Sequence, residues 1–237
     1  MGISMGTDMG IPMGIVAPDL RRAHRRGVAA GATAYALWGL LTLYWHAFSG
    51  IDATTLIAWR IVGSTALLTL IVALRRAWGP LAALRDRRVL ASTVVAALAL
   101  ATNWTLYVWC VTHGRVVDAA LGYLLSPIGM VAAGALVLHE HLRPWQRGAL
   151  GLAVASVVVL AFGYGQPPVF AVLIAASWTL YGVMKKRTSF DALTGLTAET
   201  WVLLPVAIAL IVVRATWGPG ALAGATHADV VLIAFAG

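Results

Sequence analysis

One cysteine and nine acidic residues in 237 rule out several common ways of building or using a protein. A single thiol, Cys110, forms no intrachain disulfide, so a disulfide-stapled scaffold is excluded. Within an apolar run, such a cysteine reads as a small apolar filler. Charged residues make up only 11% of the chain, far below the roughly one quarter usual in soluble domains. Signature motifs of chemistry are missing too. There is no G-x-S-x-G, no H-E-x-x-H and no G-x-x-x-x-G-K-[ST]. The first two absences remove a hydrolase elbow and a zincin helix, and the third removes the phosphate cradle of a single-chain ATP-driven pump. His139 and His141 flank Glu140 at i, i+2 and point to different sides of a helix, whereas helical zinc ligands at i, i+4 share a side. The reading is a protein that is not an enzyme and needs neither cofactor nor metal.

What is present is apolar sequence, 60% of all residues. It is cut into seven runs: residues 27–48, 53–74, 89–111, 119–138, 148–163, 168–184 and 194–213. Each is close to the roughly 17–25 residues that a helix needs to cross the hydrocarbon core. The 17 basic residues are distributed unevenly around these runs. Arg21, Arg22, Arg25, Arg26, Arg75, Arg76, Arg85, Arg87, Arg88, Arg143, Arg147, Lys185, Lys186 and Arg187 fall on one side. Arg115 and Arg214 fall on the other, and Arg60 alone lies inside a run. By the positive-inside rule the rich side is cytoplasmic. The expected protein is therefore an all-α polytopic protein of the cytoplasmic membrane, N-terminus inside. Loops 48–52, 112–118, 162–167 and 214–229 are then outside. The net charge of +8 belongs to span flanks facing an anionic inner leaflet, and not to a nucleic-acid surface. Residues 1–19 lack the basic-first order of a secretory signal. With the arginine cluster they read as a disordered, basic cytoplasmic tail over 1–26.

A faint repeat runs through the apolar segments. Arg60 and Arg75 recur as Glu199 and Arg214 at an offset of 139, and Trp38 recurs as Trp178 at 140. Five spans, an odd number, separate the copies, so the second is inverted in the membrane. That is a plan of secondary transporters, with the substrate site between the halves near the midplane. The first copy is expected over 27–163 (spans one to five). The second, over 168–237, holds spans six and seven and the start of an eighth. The offset would carry its end to about position 302, so the second repeat is expected to be incomplete in this chain.

Several stretches resemble the RarD-type proteins of the EamA branch of the drug/metabolite transporter superfamily. They are AYALWG (34–39), WRIVGS (59–64), NWTLYVW (103–109), AALGYLLSP (119–127), YGVMKK (181–186) and TGLTAETWVLLP (194–205). VLHEHLRPWQRGALGL (137–152) is similar to the end of an EamA repeat, where a Glu closes one helix and a Gly opens the next. The resemblance covers about residues 28 to 213. It implies ten spans in two inverted five-helix repeats and export or exchange of small metabolites or drugs. The names of many members refer to chloramphenicol sensitivity, and substrates in the family are generally not established. The family typically carries Glu where this chain has Asp118.

Arg60 and Glu199 are the charges inside the runs. A mid-span Arg costs about 2.5–3.5 kcal/mol on insertion scales. It either binds an anionic group or a carboxylate, or snorkels from about 9 Å depth to the headgroups. Glu199, about 8 Å from the cytoplasmic edge, is a candidate proton carrier or half of a structural ion pair. Their depths argue against a direct bridge between them. Asn103, Trp104 and Tyr107 on the third run, with Tyr35 and Trp38 on the first and Tyr123 on the fourth, are candidates for an aromatic, hydrogen-bonding wall along a substrate pathway. The competing reading is interfacial belt and ordinary helix contact. Asp118 fits a first-turn helix charge or a pathway ligand. Gly122, Pro127, Gly129 and Gly134 allow close packing or local unwinding of the fourth span, and Gly151 with Ala155 forms a small-xxx-small pair. The leading expectation is a secondary transporter of a small molecule, with proton coupling a further possibility. A non-transporting membrane scaffold, a sensor or an inactive transporter fragment is the alternative.

Overall fold

The computed structural model describes residues 16–46, 51–137, 139, 142–163 and 167–217. The chain divides into two units, Met1–Tyr44 and Trp45–Gly237. The described part of the first unit is one helix, α1, which runs Val16–His46 and ends just inside the second. The second unit holds α2 (Ala53–Leu74), α3 (Arg87–Thr112), α4 (Val116–Val137), α5 (Pro144–Gly163), α6 (Val169–Lys185) and α7 (Ala192–Trp217). A short 3₁₀ helix, Gly79–Arg85, lies between α2 and α3. Each apolar run lies within, or nearly within, one α-helix, and there is no strand among the described residues. Among those residues, five helices are long and apolar enough to cross a membrane, and α6, at 17 residues, is apolar but shorter.

The helix at the N-terminus departs from expectation. Residues 16–26, read as part of a disordered tail, are helical. Pro18 sits in the first turn, where its missing N–H would have had no partner anyway. The Ala- and Arg-rich segment after it has strong helix propensity. Residues 1–15, Glu140, His141 and the stretch 218–237 lie outside the described residues.

Helix ends in the second unit are set by carboxylates. Asp52 accepts from the backbone N–H of Thr54 (3.0 Å) and Thr55 (3.2 Å) at the start of α2. Asp86 accepts from Arg88 N–H at 2.7 Å before α3. Asp191 accepts from Thr194 N–H at 2.8 Å before α7. Each satisfies an orphan donor of the first turn and places negative charge at the positive end of the helix dipole.

α3 packs against α2, α4, α6 and α7, while α2 lies along α7 and α4 lies along α6. Lipid is as apolar as leucine, so close packing and polar contacts hold such helices together. At the α4–α6 seam the close approach comes from glycine. A Cβ on Gly122 would lie 2.7 Å from Ile174 Cβ and 3.1 Å from the Ala171 carbonyl oxygen, and one on Gly129 would lie 2.2 Å from Thr179 Oγ1. α4 continues through Pro127 as a single helix, so its small residues serve packing. Gly122→Ala should therefore lower stability in detergent by about 1–3 kcal/mol through overpacking. That loss should exceed alanine's propensity advantage of about 1 kcal/mol. Gly151→Ala is the control, because a Cβ there meets nothing within 4 Å. Equal thermal midpoints for the two variants would show that the seam is not tight. The Gly151/Ala155 pair itself is exposed and joins no other helix among the described residues. Small residues permit a close approach but cannot supply a partner, and among the described residues α5 packs chiefly on α4.

Candidate functional site

A stripe along α6 gathers the polar residues of the bundle. Ile174, Ser177, Trp178, Tyr181 and Lys185 follow helical spacing and so share one side of α6. Asn103 of α3, fully buried, meets the upper part of this stripe. Its Nδ2 donates to the Ile174 carbonyl (3.0 Å) and to Ser177 Oγ (3.1 Å). The Tyr123 hydroxyl on α4 donates to Asn103 Oδ1 at 2.7 Å. Asn103 thus ties three helices together with one side chain. The Tyr123 ring meets Tyr107 edge-on at 5.7 Å and Trp178 at 5.9 Å. Trp178 in turn lies 5.5 Å from Tyr181.

The stripe ends in an ion pair. Glu199 on α7 is 2% exposed and accepts from Lys185 Nζ at 2.8 Å and from the Tyr181 hydroxyl at 3.2 Å. Gly195 makes the room for this, since a Cβ there would lie 2.3 Å from Lys185 Nζ. A continuous series of polar and aromatic groups therefore runs from Asn103 through Tyr123, Trp178 and Tyr181 to Glu199 and Lys185.

Arg60 is half-buried on α2. Its guanidinium lies 4.7 Å from the Trp104 ring and 5.5 Å from that of Trp45. Cation–π contact favours a guanidinium placed over such ring faces. Arg60 and Glu199 form no ion pair with each other among the described residues. Asp118 pairs at 2.7 Å with Arg115 one turn before it, and the Arg115 guanidinium covers Phe170 at 4.6 Å. Tyr35 and Trp38 lie on α1 in the other unit, 82% and 40% exposed. Hence Asn103, Tyr107 and Tyr123 come together; Arg60 joins Trp104; Glu199 and Asp118 have separate basic partners. No cluster of three or more metal-ligating side chains occurs among the described residues. An apolar cavity of about 220 Å³ lies between α4, α5 and α6, lined by Leu121, Leu125, Ile128 and Ala153 among others, but it includes none of these polar groups.

Sequence reasoning missed Lys185, Ser177 and Asp52. Lys185 was counted only as a flanking charge, although Tyr181 and Lys185 are i, i+4 and share a face. Asp52 also reaches across the bundle, accepting from Arg214 Nη2 at 3.0 Å. Burial pushes the Asp52 carboxyl up. Hydrogen bonds from Thr54 and Thr55 and the Arg214 charge outweigh that and hold it below the ordinary carboxylate range. The available signal was Asp191, which recurs at the same 139-residue offset.

Long apolar helices, glycine-tight seams and a buried polar stripe closed by an ion pair define an all-helical polytopic membrane protein. The chain belongs to the EamA-like transporter family, which matches residues 25–162. It is 37% identical over 215 residues to the protein RarD of Streptomyces exfoliatus, covering 90% of this chain and 68% of that one. It is 36% identical over 188 residues to the uncharacterized transporter YojE of Bacillus subtilis, with coverage of 78% and 63%. It is 30% identical over 184 residues to the protein RarD of Escherichia coli, with coverage of 77% and 62%. The chain thus spans between about three fifths and about two thirds of the length of these relatives. No solved structure matches it.

Proposed function

We propose that this protein is a secondary transporter that exports or exchanges small metabolites or drugs across the cytoplasmic membrane. The observation that carries the reading is the polar and aromatic stripe from Asn103 to Glu199, set in an otherwise apolar bundle of an EamA family member. Polar groups inside a bilayer are costly and are retained chiefly where they serve a pathway or a fixed partner. Aromatic faces suit an amphipathic organic solute, and the Arg60 guanidinium lies over two of them, Trp45 and Trp104. In this reading Arg60, Trp104, Asn103, Tyr107, Tyr123 and Glu199 line the pathway, and Asp118 stands at its mouth. Glu199 carries a coupling proton.

The test is solute flux into sealed proteoliposomes, screened over amino acids, nucleosides and aromatic drugs. Arg60→Ala should cut flux at least about tenfold while accumulation in the membrane stays near normal. Normal flux would remove Arg60 from the pathway, and lost accumulation would make its role structural. Absence of any protein-dependent flux across the panel, in membranes where the protein is folded, would favour a scaffold or sensor.

The orientation proposed with this function puts the N-terminus in the cytoplasm, on the fourteen-to-two distribution of basic residues. With Cys110 replaced by Ala, Ser49→Cys should react with an impermeant maleimide from outside intact cells and Asp86→Cys only after lysis. Reaction of both from outside would refute the assignment.

A further inference from the structure

The helices α2 and α7 are the repeat-related pair, and their ends differ. At one end, Arg214 near the end of α7 bonds Asp52 before α2 at 3.0 Å and Thr54 Oγ1 at 3.2 Å. Both Asp52 and Arg214 have repeat counterparts. An offset of 139 takes Asp52 to Asp191 and takes Arg75 to Arg214. Asp191 caps α7 as Asp52 caps α2. Arg75 closes α2 as Arg214 lies in the last turn of α7. The four residues therefore form two equivalent acid–base pairs, one at each end of the same antiparallel helix pair.

Only one pair is made. Arg75 and Asp191 are both exposed, and no ion pair joins them among the described residues. Their end is held instead by apolar contact. Val72 and Ala198 pack with Leu81, and Trp78 stacks on Trp201 at 6.1 Å. Between the ends, Trp201 Nε1 donates to Thr69 Oγ1 at 2.9 Å, and Thr65 Oγ1 reaches the Thr200 carbonyl at 3.4 Å.

Two antiparallel helices in contact along their length can rock on each other. A small tilt about the middle of the contact draws one pair of ends together and parts the other. Inverted repeats exploit this, since exchanging the conformations of the halves turns one facing state into the other. We propose that Asp52–Arg214 and Asp191–Arg75 are matched end clasps of α2 and α7, closed alternately, with the structure showing the state in which the first is shut. Both partners of the closed clasp keep solvent contact, 45% for Asp52 and 34% for Arg214. Such a pair holds weakly and opens readily, as an alternating clasp must. This rests on the transport reading above for its purpose, although not for its geometry.

The test is cross-linking in native membranes with Cys110 replaced by Ala. Asp52→Cys with Arg214→Cys, and Arg75→Cys with Asp191→Cys, should each link with a bifunctional thiol reagent about as long as the arginine side chain it replaces. In the four-cysteine variant, locking the first pair should slow linking of the second by about tenfold or more. Two findings would overturn the proposal: no linking of the 75/191 pair in any condition, or unhindered linking of both pairs in the same molecules. If Asp52→Cys fails to accumulate for want of its cap, Thr54→Cys replaces it, since Thr54 also meets Arg214. Absence of protein-dependent solute flux in the unlocked protein, with the mutual exclusion intact, would sink the transport reading and leave the clasps standing.

Discussion

Lys185→Met should destabilise the folded bundle by about 3 kcal/mol, near the lower end of the range for removing one partner of a buried ion pair. The Glu199 side chain is 3% exposed and Lys185 is 26% exposed, so Lys185 can draw partly on solvent and Glu199 cannot. Without the ammonium, Glu199 keeps the Tyr181 hydroxyl at 3.2 Å as its one side-chain hydrogen-bond partner among the described residues. Methionine fills the aliphatic volume, so the loss reports on charge and not on a cavity. Glu199→Gln should cost less, about 1–2 kcal/mol, because the amide oxygen still accepts from Lys185 and the amide NH2 can donate to the Tyr181 hydroxyl oxygen. The Lys185→Met/Glu199→Gln double variant should be more stable than the sum of its parts by about 2 kcal/mol. Reversible unfolding in detergent measures all three. Strict additivity would mean that the pair contributes nothing beyond its two side chains. The same variants bear on transport. If Glu199 carries the coupling proton, Glu199→Gln abolishes pH-driven accumulation while substrate binding survives. Loss of both together would make the ion pair a structural strut.

The second large effect is expected at Asn103. Asn103→Leu is close to isosteric and more apolar, yet it should cost about 2–4 kcal/mol. It strands the Ile174 carbonyl, Ser177 Oγ and the Tyr123 hydroxyl, which all meet Asn103. Each buried group left without a partner costs about 1–3 kcal/mol, and those that find other partners lower the total. Two of the three are partly compensated, since Ser177 Oγ also donates to Ile174 O at 3.0 Å. Tyr123→Phe removes one bond from the same network and should cost about 1 kcal/mol. A Tyr123→Phe penalty equal to that of Asn103→Leu would place the weight on the Tyr123 ring contacts instead.

How much of this was legible beforehand follows from which signals are local. Helix positions were legible because a span must satisfy its backbone bonds internally and show apolar side chains to lipid over a set length. That constraint acts on consecutive residues, so the seven runs can be read directly. The N-terminal boundary was misread because arginines mark the membrane edge without ending a helix, and α1 continues through them to Val16. Arg60, Asn103 and Glu199 stood out as polar residues in apolar runs. Their partners did not. Lys185 looked like any flanking lysine, and Ser177 like any small helix residue. The 139-residue offset was noticed at Arg60 and Arg75 but not at Asp52, because a carboxylate at a span edge reads first as a cap.

The sequence by itself determined an all-helical membrane protein, its family, the placement of its helices and the short list of polar residues that need an explanation. Each of these depends on patterns along the chain, namely run length, basic flanks and motif order. Only the tertiary structure decided the pairings: Lys185 and Tyr181 for Glu199, Ser177 and Tyr123 for Asn103, Trp104 and Trp45 for Arg60, and Arg214 for Asp52. The physical reason is that lipid supplies no hydrophobic force to match one helix with another. Neighbours are chosen by close fit, at Gly122 against Ile174 and Gly129 against Thr179, and by which buried polar groups satisfy one another. Both are properties of facing surfaces, and no single helix carries the information about what it faces.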